Sequence, residues 1–383
     1  MFKRFLLPII LMQFALIANF SSLTFAEISE QERRLRSLEA KAGASIKLLA
    51  ILERFTWYGD FRLRYQNQQV DEAGSNTLDR DRFRLRFRLG ASIHMYEDMD
   101  IGFRMGTGGL TAQNSGNSTL DSTFSNKALD LTRAFFKWTP GHFTIEGGKY
   151  SAPFMKSSLL WDSDINVEGV SEQYSHKTKD THLQLVLGQF MVDEINPGED
   201  IILYAYQGII EQDTQFGKFK VALAYYDFSN HEDPNSVSTA GGSNNTGSEV
   251  KIFDVIAQWS EKINGKNLTL FGEYAKNTGD LASGQADLDT AWDVGISYGE
   301  SGEKFGDWEL GYNYRVVQTE AVFEPFMDSN TNLGTTNFRG YKISGALGLR
   351  KGIKVKTSYY NTRVERGTKN DISIFQTDLM FKF

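Results

Sequence analysis

A row of arginines is the first feature of this sequence that suggests chemistry. In the run Asp79–Gly90 (DRDRFRLRFRLG), arginine occupies every even position from 82 to 88 and an apolar residue occupies every odd position from 83 to 89. Side chains alternate between the two faces of a β-strand, so this run predicts a strand with one basic and one apolar face. Lining a water-filled passage, the basic face would set an ion preference. On a soluble sheet it would be an ordinary solvated surface.

Other chemistries have little support in the composition. The chain has no Cys, which excludes disulfide scaffolds, thiol nucleophiles and thiolate metal sites. The histidines are scattered, without the close pairing typical of a metal site or a catalytic dyad: His94, His142, His176, His182 and His231. We therefore expect no catalytic residues, no metal site and no cofactor, and a protein that is not an enzyme.

The N-terminus predicts export from the cytoplasm. Lys3 and Arg4 precede an apolar stretch from Phe5 to Phe20, and small residues ending at Ala26 stand where a cut is expected. Residues 1–26 are typical of a secretory signal peptide, with an anchoring helix as the alternative. Removing them leaves 39 basic against 48 acidic residues, so nucleic acid is not an expected partner.

Residues 27–54 have a helical pattern. Ile28, Leu35, Ala42 and Leu49 recur every seven residues, which gives about four heptads. This length is near the minimum for a coiled coil. The segment predicts a short periplasmic oligomerising helix, with a flexible linker as the alternative.

From residue 55 onwards the periodicity changes to two, which predicts strands with one apolar and one wet face. Sixteen such segments are expected, at 55–69, 79–93, 98–108, 128–138, 142–151, 165–175, 181–192, 200–211, 217–228, 250–260, 266–277, 287–299, 306–318, 337–349, 352–364 and 371–383. Tight turns alternate with longer gaps such as 109–127, 229–249 and 319–336. This rhythm is typical of an all-β, 16-stranded antiparallel transmembrane β-barrel of the outer membrane.

Two further features agree with a membrane barrel. The mean hydropathy of −0.37 excludes a polytopic helical membrane protein, since no later apolar run is long enough to cross a bilayer as a helix. The last predicted strand is amphipathic and ends on Phe383, and in outer-membrane barrels such an ending is the usual cue for the insertion machinery.

Several runs resemble the putative porin family of Gram-negative outer membranes. The resemblance covers roughly residues 55–175, and beyond it only the strand rhythm and Phe383 agree. It implies a passive diffusion channel and, by analogy with general porins, a trimer of sixteen-stranded barrels whose third external loop folds into the barrel. The runs are WYGDFRLRY (57–65), DRDRFRLRFRLG (79–90), FRMGTG (103–108), LTRAFFKWTP (131–140), GGKYSAPF (147–154) and LLWDSDINVEG (159–169).

In such a barrel, strand alternation predicts which side chains line the lumen. An arginine that faced lipid at the bilayer midplane would cost about 2–4 kcal/mol. The strand face that carries the arginines is therefore expected to point into the lumen. The predicted lining residues are Arg62, Arg64, Arg82, Arg84, Arg86, Arg88, Arg104, Lys354 and Lys356. The gap 152–164 is the candidate constriction loop, through Trp161, Asp162, Asp164 and the adjoining Glu168. With Glu273, Asp293 and Glu309, these carboxylates are expected to form an opposing acidic region.

The sequence therefore predicts a water-filled, Arg-lined outer-membrane porin barrel over residues 55–383 that passes small hydrophilic solutes and ions. Its expected partners are outer-membrane lipid, those solutes, two further copies of the chain in a homotrimer, and the barrel-insertion machinery, which would read Phe383. One alternative is a solute-specific channel for anions such as phosphate or organic acids. Another is a closed surface binding or adhesion barrel that acts through the loops 229–249 and 319–336.

Overall fold

The computed structural model describes residues 33–39, 53–72, 77–109, 115–196, 198–231, 247–285 and 287–383. The chain separates into two units, Met1–Phe55 and Thr56–Phe383. In the first unit residues 33–39 form a helix. The predicted signal peptide 1–26 and most of the predicted helical segment 27–54 lie outside the described residues. Among the helices that are described, none has the length and apolar character needed to span a bilayer.

Sixteen long strands in the described residues confirm the predicted fold class. Their bounds are β1 Phe55–Asp71, β2 Leu78–Tyr96, β3 Met99–Gly106, β4 Asp130–Trp138, β5 Phe143–Ser151, β6 Asn166–Lys177, β7 Thr181–Asp193, β8 Ile201–Thr214, β9 Gly217–Ser229, β10 Val250–Ile263, β11 Lys266–Asn277, β12 Thr290–Gly299, β13 Trp308–Val317, β14 Phe338–Arg350, β15 Ile353–Val364 and β16 Asp371–Lys382. Each predicted segment overlaps one of these strands. A two-residue strand, Ser118–Thr119, pairs with β2 beyond the end of β3.

The strands close into a barrel because the last strand pairs with the first. Neighbours in the sheet follow the chain order, and β16 runs antiparallel to β1, with Leu63 opposite Leu379. At the seam, the Phe383 N–H donates to Gly59 O (3.1 Å) and the Gly59 N–H donates to Phe383 O (2.7 Å). Closure pairs the edge backbone groups of β1 with those of β16. A sheet can lie in the hydrocarbon core of a bilayer only when all of its backbone N–H and C=O groups are paired in this way.

The two ends of the barrel differ in the length of their connections. At the turn end, strands are joined by short links such as Asn264–Gly265, where φ is 53° and 75°. Two successive positive φ angles are typical of a type I′ hairpin turn, which glycine and asparagine favour. At the loop end the connections are longer, including 107–129, 152–165 and 318–337.

Burial shows which face of each strand points outward. On β2 the Phe83 side chain is 62% exposed, whereas Arg86, of the opposite parity, is 5% exposed. Exposed large apolar residues recur on one parity of the other strands: Leu63, Leu187, Leu223, Val294, Ile296, Leu347 and Phe375. An outer face that is apolar on strand after strand suits a barrel surrounded by lipid.

The apolar core lies inside the barrel, where the connections 152–165 and 318–337 pack together. Trp161 stacks obliquely on Phe326 with ring centroids 5.1 Å apart, and Phe323 stacks on Phe228 of β9 at 4.4 Å. Leu159 is fully buried in the same cluster. The inner faces of β1, β2 and β3 instead present polar side chains, so the two sides of the lumen are chemically different.

Candidate functional site

The seven predicted arginines lie on three neighbouring strands. Arg62 and Arg64 are on β1, the four of the row 82–88 are on β2, and Arg104 is on β3. Their common parity is opposite to that of the exposed apolar side chains, since alternation in a strand is strict. We call this group, with its bonded partners, the arginine wall.

Three carboxylates compensate part of the positive charge of the arginine wall. Arg64 donates to both oxygens of Asp378 on β16, at 2.7 and 2.8 Å. Arg86 and Arg88 share Asp60 of β1 and Asp164 of the 152–165 connection, at 2.6–3.0 Å. Charge-assisted pairs of this kind fix the guanidinium planes as well as the charge.

Three other arginines of the wall bond only to uncharged groups in the described residues. Arg62 donates to Asn117 Oδ1 (2.6 Å) and Arg82 to Gln68 Oε1 (2.9 Å). Arg84 makes long contacts of 3.3–3.4 Å, to Gln66, Ser115 and Asn117. The Nε atom of each of these arginines is buried without a hydrogen-bond partner. This part of the wall therefore has uncompensated positive charge.

Arg104 extends the uncompensated region towards β4. It donates to Thr132 Oγ1 (2.9 Å) and to Asn166 Oδ1 (3.4 Å), and Arg133 donates to the same Asn166 oxygen at 2.7 Å. Sequence reasoning missed Arg133, because a register shift between β3 and β4 at Arg104 and Met105 breaks the alternation there.

The two predicted lysines lie on β15. Lys354 donates to Ser301 Oγ at 3.4 Å and lines a cavity at the turn end. Lys356 lies opposite Asp378, the partner of Arg64, in the pairing of β15 with β16. The basic residues of β15 and those of β1 are thus on either side of β16.

The predicted constriction loop is held by contacts of Asp162, near the C-terminal end of the loop. Asp162 accepts hydrogen bonds from the Asp164 N–H (2.8 Å) and the Ser329 N–H (2.9 Å), and its own N–H donates to Phe326 O (2.7 Å). Burial, together with the nearby carboxylates of Asp328 and Asp164, raises the pKa of Asp162 to about 7. Trp161 packs beside it, so this residue pair joins the loop to the 318–337 connection.

The four predicted loop residues have different roles. Trp161 and Asp162 face the 318–337 connection, whereas Asp164 forms ion pairs with the arginine wall. Glu168 is on β6, where it is exposed and forms a salt bridge with Lys149 of β5. Asp162 therefore binds the 318–337 connection, whereas Asp164 binds the arginine wall.

Two of the other three expected acidic residues, Glu273 and Asp293, anchor the loop, whereas Glu309 lies at the turn end. Glu273 on β11 accepts a hydrogen bond from Ser157 Oγ. Asp293 on β12 pairs with Arg315 on β13 at 2.6 Å, and Arg315 also donates to Ser158 Oγ at 2.6 Å. Glu309 accepts from Ser301 Oγ at 3.2 Å. Asp164, which the sequence placed in an opposing acidic region, instead binds the arginine wall directly.

Two cavities approach each other beside the arginine wall. One, of about 440 Å³, lies towards the loop end and is lined by Thr107, Ser115 and Asp164 among others. The other, of about 910 Å³, lies towards the turn end and is lined by Asp60, Arg86, Arg133 and Lys354 among others. Arg88 and Arg104 line both cavities.

The groups that converge on this place are guanidinium, carboxylate, amide and hydroxyl. Such groups bind and orient charged or polar solutes through hydrogen bonds and ionic contacts. In the described part of the chain, no three His, Asp or Glu side chains are grouped as a metal site would require.

Comparison with known families agrees with this architecture. A family model described as "Putative porin" matches residues 70–250 and 245–383, which is most of the chain. The chain belongs to the putative porin family. It is an outer-membrane porin, and its barrel forms the channel.

Solved structures similar to this porin share its fold. OprB of Pseudomonas putida, in a low-pH structure, is 12% identical, with a TM-score of 0.52 over 89% of this chain and 96% of that one. The outer membrane channel DcaP of Acinetobacter baumannii is also 12% identical, with a TM-score of 0.51 over 86% of this chain and 97% of that one. No curated protein sequence matches the porin.

Two acidic partners of the arginine wall were missed although the sequence contains a signal for them. Asp60 has the same parity as Arg62 and Arg64 in the run WYGDFRLRY, so alternation alone places it on their face. Asp378 has inward parity on the last strand and lies opposite Arg64 once the porin closes. Asn117 had no such signal, because its position depends on a connection of irregular structure.

Proposed function

We propose that the porin is a passive diffusion channel for small hydrophilic solutes and ions that prefers anions. The observation that carries this proposal is that two cavities from opposite ends have Arg88 and Arg104 in common. A solute that crosses between the cavities passes these two guanidinium groups. Charged groups at a narrow place in a channel set its ion preference.

The charge of the surrounding groups favours anions. Arg62, Arg82, Arg84, Arg104 and Arg133 have no carboxylate within salt-bridge distance among the described residues, whereas Asp60, Asp164 and Asp378 are all paired with arginines. A local excess of positive charge raises the concentration of anions in a cleft and speeds their entry. This supports the predicted lining role of the arginines.

The constriction is formed by the 152–165 connection. Asp164 projects from it to the arginine wall, while Trp161 and Asp162 hold the connection against 318–337. The inward packing of both connections supports a narrowed passage along β1 to β3.

We further infer how the porin is exported, inserted and assembled. The porin is exported through the signal peptide 1–26, residues 27–54 form a periplasmic helical segment, and residues 55–383 form the membrane barrel. It inserts through recognition of Phe383, works as a homotrimer surrounded by outer-membrane lipid, and has no enzymatic activity. The supporting observations are the apolar outer face and the pairing of Phe383 with Gly59 at the barrel seam.

The decisive experiment is to reconstitute the mature protein in a planar bilayer and record single-channel currents under a KCl gradient. Stepwise ohmic openings, with a reversal potential that shows a preference for chloride, are expected. A preference for potassium would contradict the role of the arginine wall. Folded, heat-modifiable protein that gives no openings would overturn the channel itself.

A solute-specific anion channel is the second candidate. The buried, unpartnered Nε atoms of Arg62, Arg82 and Arg84 favour it, because a buried guanidinium gains from an anionic partner. Phosphate or an organic acid should then block the chloride current in a saturable way. The closed adhesion barrel is less well supported, since much of the 319–336 connection, including Phe323 and Met327, is buried inside the barrel.

A further inference from the structure

The loop-end cavity has two chemically different walls. Its polar wall includes Arg88, Arg104, Asp130, Lys149 and Asn166. Its apolar wall is formed by Ile165, Val167, Phe190, Val192, Leu203 and Phe326. A concave site of about 440 Å³ that combines an apolar wall with convergent polar and charged groups has the features of a binding site for a small amphipathic molecule.

Most charged groups of this cavity already have a partner of opposite charge. Arg88 pairs with Asp164 at 3.0 Å, and Lys149 pairs with Glu168. Two groups differ from the rest. Arg104 bonds only to the uncharged Thr132 and Asn166, and Asp130 forms no salt bridge among the described residues. The Oδ2 atom of Asp130 is buried and has no hydrogen-bond partner in the part of the chain that the structure describes.

The strand register brings these two groups to the same face. Asp130 lies opposite Gly106 at the end of β3, and Arg104 is two residues earlier on that strand. Arg104 and Gly106 share the inward parity of β3, so both groups face the lumen although the register shifts between Arg104 and Met105. Among the described residues, the cavity therefore presents one cationic and one anionic group, neither of them in a salt bridge, beside an apolar wall.

We propose that this cavity binds a small zwitterion with an apolar side chain, that is, an apolar α-amino acid. Arg104 binds the carboxylate, Asp130 binds the ammonium group, and the apolar wall receives the side chain. The inference rests on the proposed diffusion function, because it names a class of solute that enters the channel. A simple anion would satisfy Arg104 but would place negative charge near Asp130.

The test is to titrate the folded, detergent-solubilised porin with four probes by isothermal calorimetry. L-phenylalanine has all three recognised features. Phenethylamine lacks the carboxylate, 3-phenylpropanoate lacks the ammonium group and glycine lacks the apolar side chain. We expect L-phenylalanine to bind at least about tenfold more tightly than each of the others, because each lost contact leaves one group of the site unmatched.

Variants assign each contact separately. Asp130→Asn should abolish the preference for L-phenylalanine over 3-phenylpropanoate, and Arg104→Gln should abolish its preference over phenethylamine. Two variants serve as matched controls that should retain both preferences. Asp121→Asn changes an exposed carboxylate in the connection that precedes β4, and Arg339→Gln changes an exposed arginine of β14. Heat-modifiable migration checks that every variant is folded.

The outcomes separate this inference from the proposed function. Equal or tighter binding of 3-phenylpropanoate by the unmodified porin, or an unchanged preference in Asp130→Asn, would overturn the zwitterion site. Chloride-selective conductance without L-phenylalanine binding would also overturn it while leaving the diffusion channel intact. Selective L-phenylalanine binding by a porin that gives no ion current would support the site and reject the channel.

Discussion

Asp162 and Ser329 join two connections that are far apart in the sequence, through a hydrogen bond of 2.9 Å from the Ser329 N–H to Asp162 Oδ2. The other oxygen of the same carboxylate accepts the Asp164 N–H at 2.8 Å. Asp164 in turn binds Arg86 and Arg88. A single side chain therefore links the 318–337 connection to the part of the 152–165 connection that contacts the arginine wall.

Replacing this carboxylate should widen the channel. Asp162→Ala removes the carboxylate that accepts part-buried hydrogen bonds from the Asp164 and Ser329 N–H groups, and losing the acceptor of a buried donor costs up to about 1–3 kcal/mol. We expect the two connections to separate, with a higher single-channel conductance and faster hydrogen exchange at the Ser329 amide. Asp121→Ala, at an exposed carboxylate, is the control. Unchanged conductance together with unchanged exchange would show that Asp162 does not hold the connections in place.

Contact between the two connections should also depend on pH. Asp162 lies outside the strands, and burial and neighbouring carboxylates raise its pKa from 3.8 to about 7. The docked connections therefore favour the protonated acid, so their stability is fully present below the ordinary pKa and is lost as pH rises through about 7. Single-channel conductance should fall as pH decreases from 8 to 5. Asp162→Asn cannot take up this proton and should have a flatter profile, and an equally steep profile in that variant would assign the effect to other groups.

The strands were predictable because they follow a local rule. Alternation along each strand requires only that one face meets lipid and the other meets water, and it predicted all sixteen strands of the barrel. The inward packing of 318–337 was not predictable in this way. It depends on contacts such as Asp162 with Ser329, which join distant residues and leave no periodic signal between them.

The candidate site likewise contains residues that strand alternation predicts and residues that it does not. The parity of Arg62, Arg86 and their neighbours follows from alternation, and Asp60 could have been added by the same rule. Arg133 was missed because the bulge beside Arg104 breaks the alternation on which the prediction depends. The partners of each arginine decide how much of its charge remains uncompensated, and they come from connections whose geometry is set by packing.

Reversing charge on the arginine wall should change ion selectivity. Arg84→Glu combined with Arg86→Glu changes four units of charge, and we expect a lower ratio of anion to cation permeability. The reversal potential under a KCl gradient measures this ratio. Arg339→Glu combined with Arg366→Glu makes the same change at exposed loop-end positions and should have a much smaller effect. An unchanged ratio in the first variant would show that the wall does not line the narrow part of the channel.

The ion pair at the seam between the first and last strands should stabilise the barrel only while both partners are present. Arg64 and Asp378 are 5% and 7% exposed, and removing one partner of a buried pair typically costs about 3–5 kcal/mol because the other charge is left uncompensated. We expect Asp378→Leu to lower the free energy of unfolding by about that amount. The double variant Arg64→Met with Asp378→Leu should recover much of the loss, because neither charge of the pair is left without its partner. Urea denaturation of the refolded barrel compares the unmodified protein, Arg64→Met, Asp378→Leu and the double variant. A double variant that is destabilised by the sum of both single variants would indicate that the two charges act independently.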